Sequence, residues 1–494
     1  MVYLFSMASE DTIIITRKEY NKLLAQGLEI EDLKYQLAEL RRMIYGAKSE
    51  RFATIDPEQG TLFDLPALEA EPDVKETISY TRSKPKSKKQ PLRLELAPHL
   101  LRKEEVIEPV DLPEGAKKIG EAVTEVLEYE PANIYVRRIV RPKYILSSTN
   151  EQTQIAIADL PTLPIPKGNA GAGILAHILV SKFVDHLPFY RQVQMFKRQE
   201  VVIAESTING WFNATCTLLE PLYQALKKEL LSNTYIMADE TPIPVLTKDK
   251  PGSTHKGYHW VYYDPVKKLV LFDYQKTRSR EGPDNMLENY TGHLQTDGYV
   301  AYKNLKNQKN ITLLACMAHA RRKFEHAKDN DFVRAREALL MFQKLYELER
   351  YARQEGLSHD QIKELRQQKS LPILNEMQGW LKEHINQVLP KSAIGQAIAY
   401  TSNLWPRLVR YIDQGRFQID NNLIENSIRP VALGRKNYLF AGSHSAAQQA
   451  AIIYSLLATC KINDIEPFQW LRNILNVIPD HPANQLQKLL PGHE

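Results

Sequence analysis

Asn233 to Leu246 reads NTYIMADETPIPVL, and the assignment of the fold turns on this stretch. The β-rich run Thr234 to Ala238 predicts a short strand that delivers one acidic residue, Asp239, at its end. The Thr-Pro-Ile-Pro that follows is expected to stop it, because proline donates no ladder hydrogen bond and does not continue a central strand. A carboxylate is thus placed at a strand terminus.

Two further stretches have the same character. In GHLQTDGYVAY an apolar-to-polar run meets Asp297 just before Gly298, which lets the backbone turn away. In FQIDNNLIENSIRP, Asp420 reads as a helix N-cap and Glu425 falls about one and a half turns inside the helix. Asp239, Asp297 and Glu425 could converge on a pair of divalent ions, since hard cations such as Mg²⁺ need few protein oxygens and take the rest from water and phosphate. That is the pattern of a phosphodiester-cutting site. The bland alternative is that these are ordinary solvated acids among the 59 Asp and Glu of the chain, an Asp before Gly being commonly a turn. What favours the site is context, because each carboxylate sits at the edge of an apolar element with polar and basic neighbours suited to a polyanion.

At 494 residues the chain is expected to hold several domains with an ample buried core. A net charge of +5 is too small to prove a nucleic-acid partner, so local charge must carry that argument. The three cysteines, Cys216, Cys316 and Cys460, are widely spaced with no CxxC pair, which excludes a disulfide framework and a Cys-rich zinc module. With no apolar run of membrane-span length and no signal pattern near Met7, a cytoplasmic protein is expected.

In chain order, residues 18–50 carry Leu23, Ile30, Leu37 and Ile44 at heptad spacing with Leu33 and Leu40 interleaved, which predicts a short coiled coil and a homo-oligomer. An amphipathic helix packed on its own chain is the other reading. Residues 51–91 form a linker in which an acidic block, Asp56 to Glu76, is followed by a basic one, Thr81 to Arg93. Residues 92–160 read as a small β-rich unit whose clearest strand is Ile134 to Tyr144, and the prolines of Pro161 to Gly168 make a stiff joint.

Residues 165–231 are helical. Phe189, Val193 and Phe196 make one buried face and, after a break at Gln199 to Ile203, Ile208, Trp211, Phe212 and Thr215 make another, with Ser206 as N-cap. Helix, short turn, helix of this size is a DNA-reading arrangement, which would put Glu205, Ser206, Thr207 and Asn209 against base edges. Two amphipathic helices are also common in any α-rich domain, and this turn lacks a glycine. Residues 232–445 then order strand, hairpin (Tyr258 to Tyr263 and Lys268 to Tyr274), helix, strand, strand, helix, an α/β sequence consistent with an RNase H-like catalytic core. Residues from about 332 to 408 read as an all-α insertion, and 446–494 as a C-terminal helical element. Arg429 lies four residues after Glu425, the spacing of a helical ion pair. Arg435 and Lys436 beside Tyr438 and Phe440 are alternatively a grip on DNA backbone and bases.

Taken together, SERFATIDPEQGTLFD, LPFYRQVQMFKRQEVVIAESTINGWF, ADETPIPVL, LQTDGYVAY, AHARRKF, DNNLIENSIRPVALGRKNYLFAGS and YSLLATCKINDIEPFQWL resemble, in this order from about Leu23 to Gly492, the IS66 family of bacterial insertion-sequence transposases. The resemblance implies a DDE triad at Asp239, Asp297 and Glu425, with Mg²⁺ or Mn²⁺ as cofactor. It implies double-stranded DNA as partner, both terminal inverted repeats and target, and small accessory proteins of the same element. It also implies cleavage by activated water followed by attack of the freed 3′-hydroxyl on target DNA, both in-line displacements at phosphorus. His319, Arg322 and Lys323 then become candidates for charge stabilisation or DNA contact, against the alternative of a solvated basic helix. The family usually carries paired cysteines before the helix-turn-helix, whereas Leu92 to Pro161 has none and KYILSST stands in their place, so no zinc is predicted. The rivals are a nuclease on the same core and a non-catalytic DNA-binding remnant. A haloacid-dehalogenase phosphatase is set aside, because Thr241 stands where its second Asp belongs.

Overall fold

The computed structural model describes residues 3–6, 12–15, 134, 143–149, 152–157, 162–166, 168–247, 252–302 and 310–493. The expected coiled coil (18–50), the charged linker (51–91) and most of the β-rich unit lie outside the described residues. The chain divides into two units, Met1–Ile134 and Tyr135–Glu494. In the first, β1 (Tyr3–Ser6) and β2 (Thr12–Ile15) form an antiparallel pair.

The second unit opens with an antiparallel pair, β3 (Lys143–Thr149) and β4 (Gln152–Ile157), irregular between Ile145 and Ser147. The described strand starts at Lys143, near the end of the expected Ile134 to Tyr144 strand, and Ile134 is in no strand. Three helices follow: α1 (Ala172–Phe183), α2 (Phe189–Arg198) and α3 (Glu205–Leu231). Phe189 and Phe196 of α2 and Ile208, Phe212 and Thr215 of α3 are buried, with the Phe189 and Phe212 rings in edge contact at 5.7 Å. The turn between them needs no glycine because Glu200 itself adopts φ +59°. One expectation is corrected here. The N-cap is Ala204 and not Ser206, because the backbone is extended at Ala204 and already helical at Glu205, whose charge suits the positive end of the helix.

A five-stranded sheet is ordered β7-β6-β5-β8-β9, with β5 (Tyr235–Leu246), β6 (Thr254–Asp264) and β7 (Leu269–Gln275) antiparallel and β8 (Gly292–Thr296) and β9 (Ile311–Ala315) parallel to β5. A short helix, α4 (Glu281–Met286), joins β7 to β8. The strand expected to end at Ala238 instead runs on to Leu246, paired with β6 throughout. The prolines are tolerated for a geometric reason. The Pro244 carbonyl accepts from Ala441 N–H and Leu246 N–H donates to Ala441 O, so even-numbered residues turn their backbone away from β6. The N–H that Pro242 and Pro244 lack would have faced that side, away from the β6 ladder.

After β9 come α5 (Met317–His326), α6 (Phe332–Gln354), α7 (His359–Leu365), a π-turn at Arg366–Ser370, α8 (Leu371–His384) and α9 (Ala393–Leu408). The chain then returns to the sheet in α10 (Asn422–Tyr438), α11 (His444–Ile462) and α12 (Pro467–Val477). Among the described residues no helix is long and apolar enough to cross a membrane.

The outer strand β7 would present unpaired amides, a template for aggregation. α11 covers it with two hydroxyls from an otherwise buried apolar face: Phe272 N–H donates to Ser455 Oγ at 2.8 Å and Val270 N–H to Thr459 Oγ1 at 3.1 Å. Thr459→Val keeps the shape but leaves a buried N–H unpaired, so a loss of about 1–3 kcal/mol is expected in denaturant unfolding. A neutral Thr459→Val would show that the edge is covered by packing alone.

Candidate active site

The parallel pairing of β5 and β8 sets Tyr235 beside His293 and Met237 beside Gln295, and then stops. Continued in the same register, Asp239 and Asp297 stand at one height and on one side of the sheet, where the two strands part. Tyr235 ties this region together, its buried hydroxyl donating to Gln295 Oε1 at 2.5 Å and accepting from Gln418 N–H at 2.9 Å. Asp297 follows the last residue of β8, accepts from Tyr299 N–H at 2.8 Å, and is followed by Gly298 at φ +90°, where the chain turns away. The Tyr400 hydroxyl of α9 donates to the Asp297 carbonyl at 2.8 Å.

Carboxylate oxygens of Asp239, Asp297 and a third residue, Glu240, lie within 4.8 Å of one another. Glu240 is not a candidate in the sequence reading, and alternation along β5 assigns it to the face opposite Asp239. Its longer side chain, at the point where β5 loses its neighbour, still reaches the cluster. The Glu240 side chain is 3% exposed and accepts from Arg278 Nε at 2.7 Å. Arg278 in turn lies over the Tyr299 ring, 3.8 Å from its centroid. Burial, then the charges of Glu240, Asp297 and Glu425, hold the Asp239 carboxyl well above the usual carboxylate range, against one hydrogen bond from Glu240 N–H. Burial also raises Glu240, with Arg278 opposing.

Glu425 lies in the first turn of α10 and outside the three-carboxylate cluster, yet close enough for its charge to act on Asp239. The helix start is pinned by Asn421, fully buried, whose side-chain amide reaches the Ala238 carbonyl at 3.5 Å and whose N–H meets Cys316 Sγ at 3.2 Å. Asp420 is not the N-cap, a position that Asn421 takes. Its carboxylate instead accepts the N–H and side-chain amide of Asn422, at 3.0 and 2.8 Å, and faces the Tyr346 hydroxyl of α6. Of the two acids, Glu425 contributes to the raising of Asp239, whereas Asp420 is held by Asn422 and Tyr346.

The basic candidates are dispersed. His319, Arg322 and Lys323 ride on α5, with the Lys323 ammonium 5.6 Å from the Tyr400 ring that bonds Asp297. Arg435 turns inward and donates to Thr241 Oγ1 at 3.1 Å and to the Pro242 carbonyl, whereas Arg429 and Lys436 are exposed on α10. Glu205, Ser206, Thr207 and Asn209 are all exposed at the start of α3.

A family model described as the IS66 family transposase matches residues 167–449, which contain α1 to α3, the whole sheet and the acidic cluster. The chain belongs to the IS66 transposase family. A second model, the IS66 C-terminal element, matches residues 455–491, and a third, described as a transposase homeodomain, matches 32–104, across segments whose sequence suggested a coiled coil and a linker. The uncharacterized protein y4jD of Sinorhizobium fredii is 32% identical over 490 residues, covering 93% of this chain and 94% of that one. The uncharacterized y4hP of the same organism is 30% identical over 492 residues, covering 93% and 88%. The IS66 domain is of the DDE type, which implies a divalent cation. The donor set fits one, since it is all carboxylate oxygen, suited to a hard ion such as Mg²⁺ or Mn²⁺, and its buried charge is under-compensated without one.

Proposed function

We propose that this IS66 family protein is the transposase of an insertion sequence, binding the element's ends and cutting and joining DNA strands through Asp239, Asp297 and Glu425 with two Mg²⁺ or Mn²⁺ ions. The observation that carries the reading is the meeting of Asp239 and Asp297 at the parting of β5 and β8, with the charge of Glu425 acting on Asp239. The sheet order, three antiparallel strands and then two parallel ones, supports an RNase H-like core. Paired ions held there would stabilise the entering and leaving oxygens of an in-line displacement. His319, Arg322 and Lys323, on the helix that follows β9, and exposed Arg429 and Lys436 are the groups we assign to the phosphate backbone. The partly buried Arg435 holds α10 to β5 through Thr241 and Pro242 and so serves position before contact.

End recognition is assigned to α2 and α3 together with the homeodomain-like segment, and self-association to the heptads of residues 18–50. Asn209 shares the wall of a cavity of about 290 Å³ with Tyr438 and Phe440, so the polar start of α3 and the aromatic end of α10 form one surface. Asn209→Ala is expected to cost about 1–3 kcal/mol at a single base position of the element end. Equal loss on end and random duplexes, read by competition binding, would refute base reading there. A strand-transfer assay with labelled element ends tests the activity as a whole. Joined products are expected, while cleavage without joining would make the protein a nuclease on this core, and binding without cleavage a DNA-binding remnant.

A further inference from the structure

Two arginine–glutamate pairs of this chain are built differently. Arg366 grips Glu349 through both oxygens, Nε to Oε1 at 2.8 Å and Nη2 to Oε2 at 2.7 Å, with side chains 3% and 8% exposed. Arg278 brings Nε and Nη2 to the same oxygen of Glu240, Oε1. Glu240 Oε2 is buried and has no hydrogen-bond partner among the described residues, the nearby Tyr302 hydroxyl closing none of normal geometry. The Arg278 side chain is 42% exposed, on a connection between β7 and α4 that belongs to neither strand nor helix. The first pair is satisfied and sealed. The second leaves a buried carboxylate oxygen unmatched beside Asp239 and Asp297 and holds its one cation from the solvent side.

Resting on the metal-dependent reading above, we infer that Glu240 is part of the cation-binding site and that Arg278 stands in for the cation, giving Glu240 up when a DNA phosphate arrives. Three carboxylates within 4.8 Å need more positive charge than one guanidinium supplies, and a divalent ion brings it. The guanidinium fork suits a phosphate as well as a carboxylate, so it exchanges one for the other without losing paired hydrogen bonds. Its stack on Tyr299 lets the side chain pivot with its aliphatic stem still covered.

Mn²⁺ binding to the full chain, followed by the EPR signal of free Mn²⁺, tests this without any activity assay. Glu240→Gln is expected to weaken binding by about tenfold or more. Arg278→Met, which keeps the stem and removes the competing charge, is expected to tighten DNA-free binding by about fivefold or more. The Arg278 side chain is 42% exposed, so the variant removes no buried side chain, although Glu240 loses its one cation. A linear DNA duplex should tighten binding in the wild-type protein and have little further effect in Arg278→Met. Unchanged binding in Glu240→Gln, unchanged or weaker binding in Arg278→Met, or an equal duplex effect in both proteins overturns the inference. Asp239→Asn separates this from the reading beneath it: if that change also leaves Mn²⁺ binding intact, the catalytic assignment itself falls.

Discussion

Replacing Asp239 or Asp297 by Asn, or Glu425 by Gln, is expected to lower cleavage of labelled element ends by at least about 10³-fold while leaving end binding nearly intact. Each change keeps the volume and removes one negative charge from a site whose purpose is to hold positive ions against phosphate oxygens. Binding should persist because none of the three acids lines the cavity that Asn209 shares with Tyr438 and Phe440. Asp239→Asn also replaces a carboxyl whose charged form burial and the neighbouring acids disfavour, so the fold is not expected to suffer. Cleavage assays and gel-shift titrations on the same preparations decide it. Should Asp420→Asn abolish cleavage while Glu425→Gln does not, the wrong acid of α10 has been assigned.

Arg366→Met is expected to destabilise the second unit by about 3–5 kcal/mol, the cost of leaving a buried charge without its partner. Beyond Glu349, the guanidinium donates to the carbonyls of Tyr411 (2.8 Å), Gln414 (2.9 Å) and Phe417 (3.0 Å), so it ties the helices before α9 to the segment that leads back into α10. That segment continues to Gln418, held by Tyr235, and to Asn421, which pins the helix carrying Glu425. Removing both charges in an Arg366→Met, Glu349→Met double variant should recover only part of the loss, since the buried carbonyls of Tyr411 and Phe417 lose their donor. Denaturant unfolding followed by the fluorescence of Trp380 and Trp405, both in these helices, gives the measurement. Full recovery in the double variant would reduce Arg366 to a simple ion pair.

The reach of the sequence differs from element to element. The hairpin of β6 and β7 was legible because apolar runs flank Asp264-Pro265, and the structure adds that buried Asp264 caps the turn by accepting from Val266 and Lys267 N–H. The buried faces of α2 and α3 were legible from the spacing of Phe189, Phe196, Ile208 and Phe212. The end of β5 was not, since a local rule about proline says nothing of which edge of a strand pairs with β6, and Pro242 and Pro244 turn their missing N–H to the other edge.

What the sequence by itself determined is the periodic part: most helices and strands, which faces are apolar, the family to which the ordered motifs belong, and the acids at the end of β8 and the start of α10. These follow from interactions between residues a few positions apart, or from patterns that repeat with the backbone's own period. What only the tertiary structure decided is which groups meet. Glu240 joins the cluster where β5 loses β8 after Met237, Asn421 rather than Asp420 caps the helix that carries Glu425, and Arg435 turns inward because β5 offers it a carbonyl. Each is a contact between distant parts of the chain whose geometry depends on strand register and helix phase, and a shift of one residue reverses it.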